Sequence, residues 1–439
     1  MRVYKNPSII ISDIDAEYSA CINPLIKDWL KIITATQKNV LQLLDIHNDL
    51  EELIKLTGFT EEEIKWFISI FEQKNFINYT WEFTSPKKNT DIQNMDLWIH
   101  TTDKCNLRCS YCYICTKDTQ KNMEDSTIEN LSKSIIETVK KYSLKTVVLR
   151  LSWWEPTLVI NKRLEKIELL KDALNNENCV LKITFLSNGT TIDDNKIDII
   201  KKNKFWLSIS LDGIWDFHDK NRFYVDWKWS FEDVSKNIEK LIQNWIKPTI
   251  MTVVSNDNID WLPELTRFLI KNNLYFRYSF VQWQDLNQEK LIHIMNECYD
   301  ILEKAIENWY EFLRYHRLCD LKFLNPSTKT CSSWYSWWAI YLDWWVHFCQ
   351  LKLSEEKNTW NINEDSDIID MISKWNDNWG KLSEDCGNCD YQTVCTWWCP
   401  IERKEWKDPH CNVYKNVIPR IYSLIWKEKL FKIKKIMDV

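Results

Sequence analysis

The stretch Leu97-Trp98-Ile99-His100-Thr101-Thr102-Asp103-Lys104-Cys105-Asn106-Leu107-Arg108-Cys109-Ser110-Tyr111-Cys112 decides how this chain is read. Residues 97–101 form a short apolar, β-rich run. The residues after it set three cysteines at Cys-x3-Cys-x2-Cys spacing in a strand-end loop. Three thiolates can hold three irons of a 4Fe–4S cluster and leave the fourth iron open to a ligand. With Cys115 as a fourth ligand they can equally close a structural zinc site. Spacing alone leaves both readings open.

Working outward, the chain of 439 residues is long enough for two to three domains. Hydrophobic residues make up 45% and charged residues 27%, an ordinary globular balance. The net charge of −6, with no basic stripe interleaved with aromatics, argues against a nucleic-acid partner. The N-terminus carries a short apolar run followed by acids, unlike a secretory signal, and no stretch is long and apolar enough for a membrane span. The cytoplasm is the expected location. There, fifteen cysteines point to metal or redox chemistry and not to a disulfide scaffold. Eight of them follow position 318 and four fall between 105 and 115.

Glycine and tryptophan are both anomalous. A chain of this length should carry about 7% Gly, roughly 31 residues, yet it has 5 Gly and 26 Trp. The Trp residues stand where glycine belongs. Trp153-Trp154, Trp337-Trp338, Trp344-Trp345 and Trp397-Trp398 are adjacent pairs. Asp226-Trp227-Lys228-Trp229 reads as a turn if both Trp are Gly, and Asn244-Trp245 reads as a helix stop. Many of these letters are therefore read as glycines in the living cell. Some bacterial lineages decode UGA as Gly, whereas other variant codes decode it as Trp.

Residues 1–90 are expected to be a small winged-helix-like unit: a helix over 35–56, a break at Thr57-Gly58-Phe59-Thr60, a second helix to Phe71 and a strand at 75–79. Thr60 and Glu63 have capping-box spacing. From 91 to 310, β-rich runs at 97–101, 146–151, 182–186, 207–211, 249–254 and 275–281 alternate with helical patterns. Six such repeats predict an α/β fold with a parallel sheet, doubly wound or a barrel, and function at the C-terminal strand ends. Residues 311–415 are loop-rich and cysteine-rich, a composition that needs metal to order it. Residues 416–439 read as a basic terminal helix.

The run Cys105-Asn106-Leu107-Arg108-Cys109-Ser110-Tyr111-Cys112 closely resembles the signature of the radical SAM family, including the aromatic Tyr111 before the third cysteine. The resemblance implies a partial (β/α)6 barrel. It also implies a 4Fe–4S cluster on Cys105, Cys109 and Cys112 whose open iron takes S-adenosyl-L-methionine and cleaves it to a 5′-deoxyadenosyl radical. Trp153-Trp154-Glu155-Pro156 resembles the family's Gly-Gly-Glu-Pro motif, which binds the methionyl ammonium; here Trp replaces both glycines. Ser187-Asn188-Gly189 resembles the ribose-contacting strand end. Ser208-Ile209-Ser210-Leu211-Asp212-Gly213 resembles the fourth, with Ser210 and Asp212 toward the cofactor. His218-Asp219 and Arg222 follow as in the peptide-modifying branch.

Downstream, Cys386-x2-Cys389-x5-Cys395-x3-Cys399 and Cys411, with Cys331 and Cys349 before them, resemble the SPASM domain of radical SAM enzymes that act on peptides. The resemblance implies one auxiliary 4Fe–4S cluster on Cys386, Cys389, Cys395 and Cys411. It implies another on Cys331, Cys349 and Cys399, with Cys319 a candidate fourth ligand. Two structural zincs are the plain alternative. Cys21, Cys179 and Cys298 read as buried small hydrophobes. Anaerobic sulfatase maturases carry Asp after the residue matching Cys349; here Gln350 stands there. Maturases of ribosomally made precursor peptides are the nearer expectation, with crosslinking or epimerisation as the chemistry. The N-terminal unit would bind the peptide's leader at a sheet edge, and a flavodoxin or ferredoxin would supply electrons. A cluster-bearing, catalytically inactive peptide-binding scaffold is the expectation if Trp153 and Trp154 are genuine.

Overall fold

A computed structural model describes residues 1–13, 16–23, 30–73, 75–83, 92–112, 121–152, 155–282, 284–323, 337–342, 345–347, 349–352, 360–362, 367–373, 384–387, 389–395, 399, 401, 404 and 407–437. At the N-terminus β1 (Tyr4–Lys5) pairs with β5 (Ile77–Asn78), and β2 (Ile10–Asp13), β3 (Tyr18–Ile22) and β4 (Leu30–Thr34) form an antiparallel meander. Helices Ala35–Leu43, Leu50–Thr57 and Glu61–Glu72 close a core of their own around Val40, Leu53, Phe67 and Phe71. Thr60 and Glu63 make the expected capping box, and Gly58 ends the preceding helix at φ 72°. The single helix expected over 35–56 is instead two. The Asp49 carboxylate accepts the Glu51 and Glu52 N–H groups and starts a new helix there. The meander of β2, β3 and β4 departs from the helical unit that the sequence pattern predicts over residues 1–90.

The central sheet follows from alternation. In β6 (Asn94–His100) Met95, Leu97 and Ile99 are buried among the helices, and Asp96 and Trp98 turn to the other face. The same period of two runs through β7 (Thr146–Ser152), β8 (Val180–Ser187), β9 (Trp206–Ser210), β10 (Thr249–Val254) and β11 (Tyr275–Phe280). Parallel strands covered on both faces usually read as continuous apolar runs. Here the second face carries Asp96, Arg150, Ser208 and Arg277, so the inside of the curved sheet is not an apolar core. Helices Asp125–Tyr142, Ile160–Asn176, Asp194–Asn203, Phe231–Gln243 and Leu262–Lys271 lie between these strands, and Gln288–Ile306 follows the last. The fold is mixed α/β, with the six repeats where the sequence placed them.

The sheet extends past both edges of those repeats. β12 (His316–Leu318) joins β11, and β13 (Trp337–Ile340) joins β6, both in parallel. β14 (Trp345–His347) and β15 (Trp360–Asn361) continue antiparallel, giving ten strands among the described residues. The last helix, Cys411–Met437, begins before the expected position 416 and takes in Cys411. It packs along Gln288–Ile306, where Arg420 pairs with Asp300 at 2.7 Å and also with Glu303. Its Trp426 ring meets Tyr18 of β3 and so ties the N-terminal unit to the barrel.

The backbone reports on tryptophan. Trp215, Trp227, Trp245 and Trp309 hold φ values of 51°, 66°, 62° and 68°. This left-handed region is open to glycine and costly for a side chain. At Trp245 the N–H bonds back to Ile242 and the next N–H to Leu241, the wrap that follows a helix C-terminus, while the indole is 94% exposed. Trp309 repeats the wrap after Ile306. Trp338 is fully buried in β13 with no partner for its indole N–H among the described residues. The four positive-φ positions, Trp215, Trp227, Trp245 and Trp309, have the backbone conformation that glycine adopts most readily.

Candidate functional site

Cys105, Cys109 and Cys112 sit beyond the C-terminal end of β6. The loop is pinned by the segment after β9. Arg108 N–H donates to the Phe223 carbonyl at 2.8 Å, Ser110 N–H to the Asn221 carbonyl at 2.9 Å, and Val225 N–H to the Asn106 carbonyl at 3.1 Å. Three donors point at its sulfurs. The Leu107 N–H and the Asn188 side-chain amide lie 3.4 and 3.8 Å from Cys105 Sγ, and an Arg222 Nη lies 3.7 Å from Cys109 Sγ.

Burial pushes the Cys105 thiol up to about 12 and the Cys109 thiol to about 11. Burial thus favours the neutral thiols of Cys105 and Cys109, and any group that coordinates them must displace the protons. Among the described residues no three His, Cys, Asp or Glu side chains converge tightly enough to grip a metal ion as they stand. The fit to a cluster rests on donor chemistry: three thiols in one loop, with N–H donors and a cation turned on them, suit anionic sulfur.

Glu155 follows β7 and is fully buried. Its carboxylate accepts from the Asn188 N–H at 2.6 Å, the Ser187 hydroxyl at 2.8 Å and the Thr157 N–H at 3.1 Å. Burial still raises its pKa against these bonds. Glu155 thereby locks the end of β7 to the end of β8. There Gly189 has φ 80°, and a Cβ would stand 2.7 Å from Ile209 Cγ2, so only glycine fits. Asn106 was not singled out from sequence. It accepts from the Asn188 amide and donates to the Thr190 hydroxyl, both at 2.8 Å. A polar residue between paired cysteines was the available signal.

Asp212, beyond β9, is the hub of the other side. It takes a hydrogen bond from the Tyr111 hydroxyl, a charged bond from Arg222 Nε at 2.7 Å and the Val253 N–H at 2.9 Å. Tyr111 and Arg222 both have pKa values far above their ordinary ones: burial raises the phenol, and Asp212 holds the guanidinium charged against burial. His218 Nδ1 accepts the Asp212 N–H at 3.3 Å, and Nε2 lies 3.1 Å from the Ser230 hydroxyl. The imidazole is thus neutral with its proton on Nε2, its pKa brought down to about 3 by burial. Asp219 caps the helix Phe231–Gln243 through the Ser230 and Phe231 N–H groups. Ser210, half-buried, ends β9 in register with Met251.

The opposite mouth of the barrel differs. A groove of about 610 Å³ is lined by inward residues of β6 to β11 together with Arg317, Lys322, Cys349, Gln350 and Cys399. Cys349 and Cys399 pack in one small cluster with Trp337 and Leu351. Burial raises the Cys411 thiol pKa, and Cys386 and Cys389 lie near enough to add to the rise. Cys395 half-packs on the main core. Cys319 is buried beside Tyr414, which also feels Cys395. Cys21, Cys179 and Cys298 are buried. Trp153, Trp154, Trp344 and Cys331 lie outside the described residues.

Residues 99–269 match the Radical SAM superfamily. This stretch is a radical SAM domain. Its kind works with a 4Fe–4S cluster and S-adenosyl-L-methionine, as the sequence reading expected. The chain is 25% identical over 322 residues to a cysteine-type anaerobic sulfatase-maturating enzyme of Clostridium novyi (strain NT), covering 68% of this chain and 85% of that protein. Among solved structures it is similar to native anSMEcpe with bound AdoMet and Cp18Cys peptide, at TM-score 0.63 and 18% identity, covering 76% of this chain and 99% of that one. It is also similar to Streptococcus suis SuiB bound to precursor peptide SuiA, at TM-score 0.53 and 15% identity, covering 93% and 98%. At those identities the likeness is one of fold. No helix among the described residues is long and apolar enough to cross a membrane.

Proposed function

We propose that this chain is a radical SAM enzyme that modifies a ribosomally made precursor peptide by crosslinking or epimerisation. One observation carries the reading. A cysteine loop with donors aimed at its sulfurs closes one mouth of the barrel, and a polar groove ending on Cys349 and Cys399 opens the other. When bound, the cluster and S-adenosyl-L-methionine supply a carbon radical that takes a hydrogen atom. The protein's part is placement. Asn188 and Arg222 stabilise thiolate sulfur. Glu155 and Ser187 fix the strand ends that the cofactor meets, and Asp212 holds Tyr111 and Arg222 in place. The open inner face admits a peptide. The downstream cysteines form a SPASM-type region with two auxiliary clusters, Cys386, Cys389, Cys395 and Cys411 holding one and Cys331, Cys349 and Cys399 the other. A flavodoxin or ferredoxin serves as electron donor, and the 1–90 unit receives the leader peptide. The test is anaerobic reconstitution with iron and sulfide, reduction with dithionite and addition of S-adenosyl-L-methionine. Formation of 5′-deoxyadenosine with methionine is expected; zinc without iron, and no cleavage, would reject the reading.

Sulfatase maturation is the second reading, favoured by the Clostridium novyi relative. Against it, Gln350 lines the groove where those enzymes carry Asp. Oxidation of the cysteine in a sulfatase-derived peptide, read by mass spectrometry, decides between them.

A further inference from the structure

The groove at the lower mouth is cationic in a chain whose net charge is −6. Five cations line it against two carboxylates. Three of the five are already matched. Arg150 pairs with Asp96 through contacts of 2.7–3.0 Å, Arg277 with Asp320 at 2.9 Å, and Arg314 with Glu311 at 2.8 Å. Arg317 and Lys322 remain. The Arg317 guanidinium donates to the Leu313 and His316 carbonyls, which orient it without neutralising it. Among the described residues no carboxylate pairs with Arg317, and burial pulls its pKa down. Lys322 is anchored by its backbone N–H on the Val394 carbonyl at 2.8 Å, and among the described residues its ammonium has no anionic partner. A half-buried cation left without an anion is costly unless a ligand brings one.

We propose that this groove seats a carboxylate-bearing segment of the substrate peptide, with Arg317 and Lys322 as the residues that select it. The inference rests on the peptide reading above and adds the chemical class of the substrate. The carboxylate can be an Asp or Glu side chain or the peptide's C-terminus. A charge-assisted hydrogen bond contributes about 1.5–3 kcal/mol, so the anionic ligand should bind about tenfold tighter or more.

Calorimetry on the reconstituted full chain tests this with three synthetic peptides. One is an amidated peptide alternating Ala and Glu, one is the same with Gln for Glu, and one is the Ala/Gln peptide with a free C-terminal carboxylate. Tighter binding of the Glu peptide assigns a side-chain carboxylate, and tighter binding of the free-acid peptide assigns the terminus. Arg317→Gln and Lys322→Gln should each erase that preference, and Arg317→Lys should keep most of it. Lys322→Gln carries the test if Arg317→Gln does not fold. Equal affinity for all three peptides overturns the proposal, as does an unchanged preference in the Lys322 variant. Altered iron content or EPR signal with unchanged selectivity also overturns it, and gives the cations to the nearby cysteines instead. If no peptide binds although S-adenosyl-L-methionine is cleaved, the peptide reading falls with it. If a precursor peptide is modified without charge preference, only the docking proposal falls.

Discussion

The two mouths of the barrel are built on opposite principles. At the C-terminal mouth three buried polar groups are held by several partners each: Glu155 accepts from three residues, Asp212 from Tyr111, Arg222 and the backbone, and His218 is fixed in one tautomer. At the N-terminal mouth the inner strand faces surround open volume, and Arg317 and Lys322 have no anionic partner among the described residues. Cofactor chemistry needs preorganised dipoles, whereas a substrate channel must leave its best groups unspent. On the proposed reading, the difference teaches that the upper mouth fixes the reaction type and the lower mouth the substrate.

The largest effect separates the two ends outright. Cys105→Ala should abolish 5′-deoxyadenosine formation, because the loop then lacks a thiolate that no neighbour replaces. Cys349→Ala should leave that cleavage measurable and remove peptide product instead. Liquid chromatography of 5′-deoxyadenosine beside peptide mass spectrometry reads both. Loss of cleavage in both variants would erase the distinction between the mouths.

Next in size is the Trp153-Trp154 pair. The motif it replaces lets backbone approach a ligand, an approach for which an indole-bearing residue is too bulky. A chain with Gly at both positions should bind S-adenosyl-L-methionine, and the chain with Trp at both should bind it at least about a hundredfold more weakly, the loss expected when a close approach worth about 2.7 kcal/mol is blocked. Calorimetry on both reconstituted forms measures it. Intact mass of the native protein gives the companion result: each glycine in place of Trp lowers the mass, and a mass matching the written sequence ends the recoding.

Much of the upper mouth was legible because it is local. Cys105, Cys109 and Cys112 share one loop, Thr60 and Glu63 share one helix turn, and the six strand runs show their period within a few residues. What was not legible depends on contact at a distance. Asn106 meets Asn188 across 82 positions. Arg222 reaches Cys109 only because the segment after β9 folds back on the cysteine loop. The N-terminal meander hides in a run of β-branched residues, and the unmatched charge of Arg317 shows only after the other cations are paired. The split of the 35–56 helix turns on one capping carboxylate, Asp49, in a polar run that periodicity ignores.

The Arg222–Asp212 pair sharpens the account of the upper mouth. Both side chains are at least nine-tenths buried. Removing one partner of such a pair costs about 3–5 kcal/mol, because the other charge is left stranded. Arg222→Gln should therefore lower the thermal midpoint and slow cleavage, and adding Asp212→Asn should restore part of the stability but not the rate. Equal stability of Arg222→Gln and the parent would show the pair to be looser than its geometry.

His218 gives the pH dependence. Its pKa falls from 6.5 to about 3 on folding because burial disfavours the charged ring. The unfolded chain then binds the extra proton, so this contribution is complete above about pH 6.5 and is lost progressively as pH falls toward 3. His316 behaves alike on the far side of the barrel, again at about 3. Urea unfolding between pH 4 and 7 should show stability rising with pH, and His218→Gln should flatten part of the slope. An unchanged slope would mean that His218 is solvated.

The smallest effect lies at the lower mouth, where the helix Phe231–Gln243 ends. Trp245 stands there at φ 62° with its indole 94% exposed, so the side chain contributes almost no packing and the backbone carries the strain. A left-handed conformation costs an L-residue about 1–2 kcal/mol that glycine does not pay. Glycine also loses more entropy on folding, by about 0.5–1 kcal/mol. Trp245→Gly should thus raise stability by about 1 kcal/mol at most, a shift of a few degrees in thermal midpoint. Trp309→Gly should gain less despite its φ of 68°, because its ring lies edge-on to Phe431 at 5.0 Å and that contact is lost. A fall in stability at Trp245 would mean the indole is a true part of the fold, and the glycine reading would then have to be argued site by site, starting from Trp153 and Trp154.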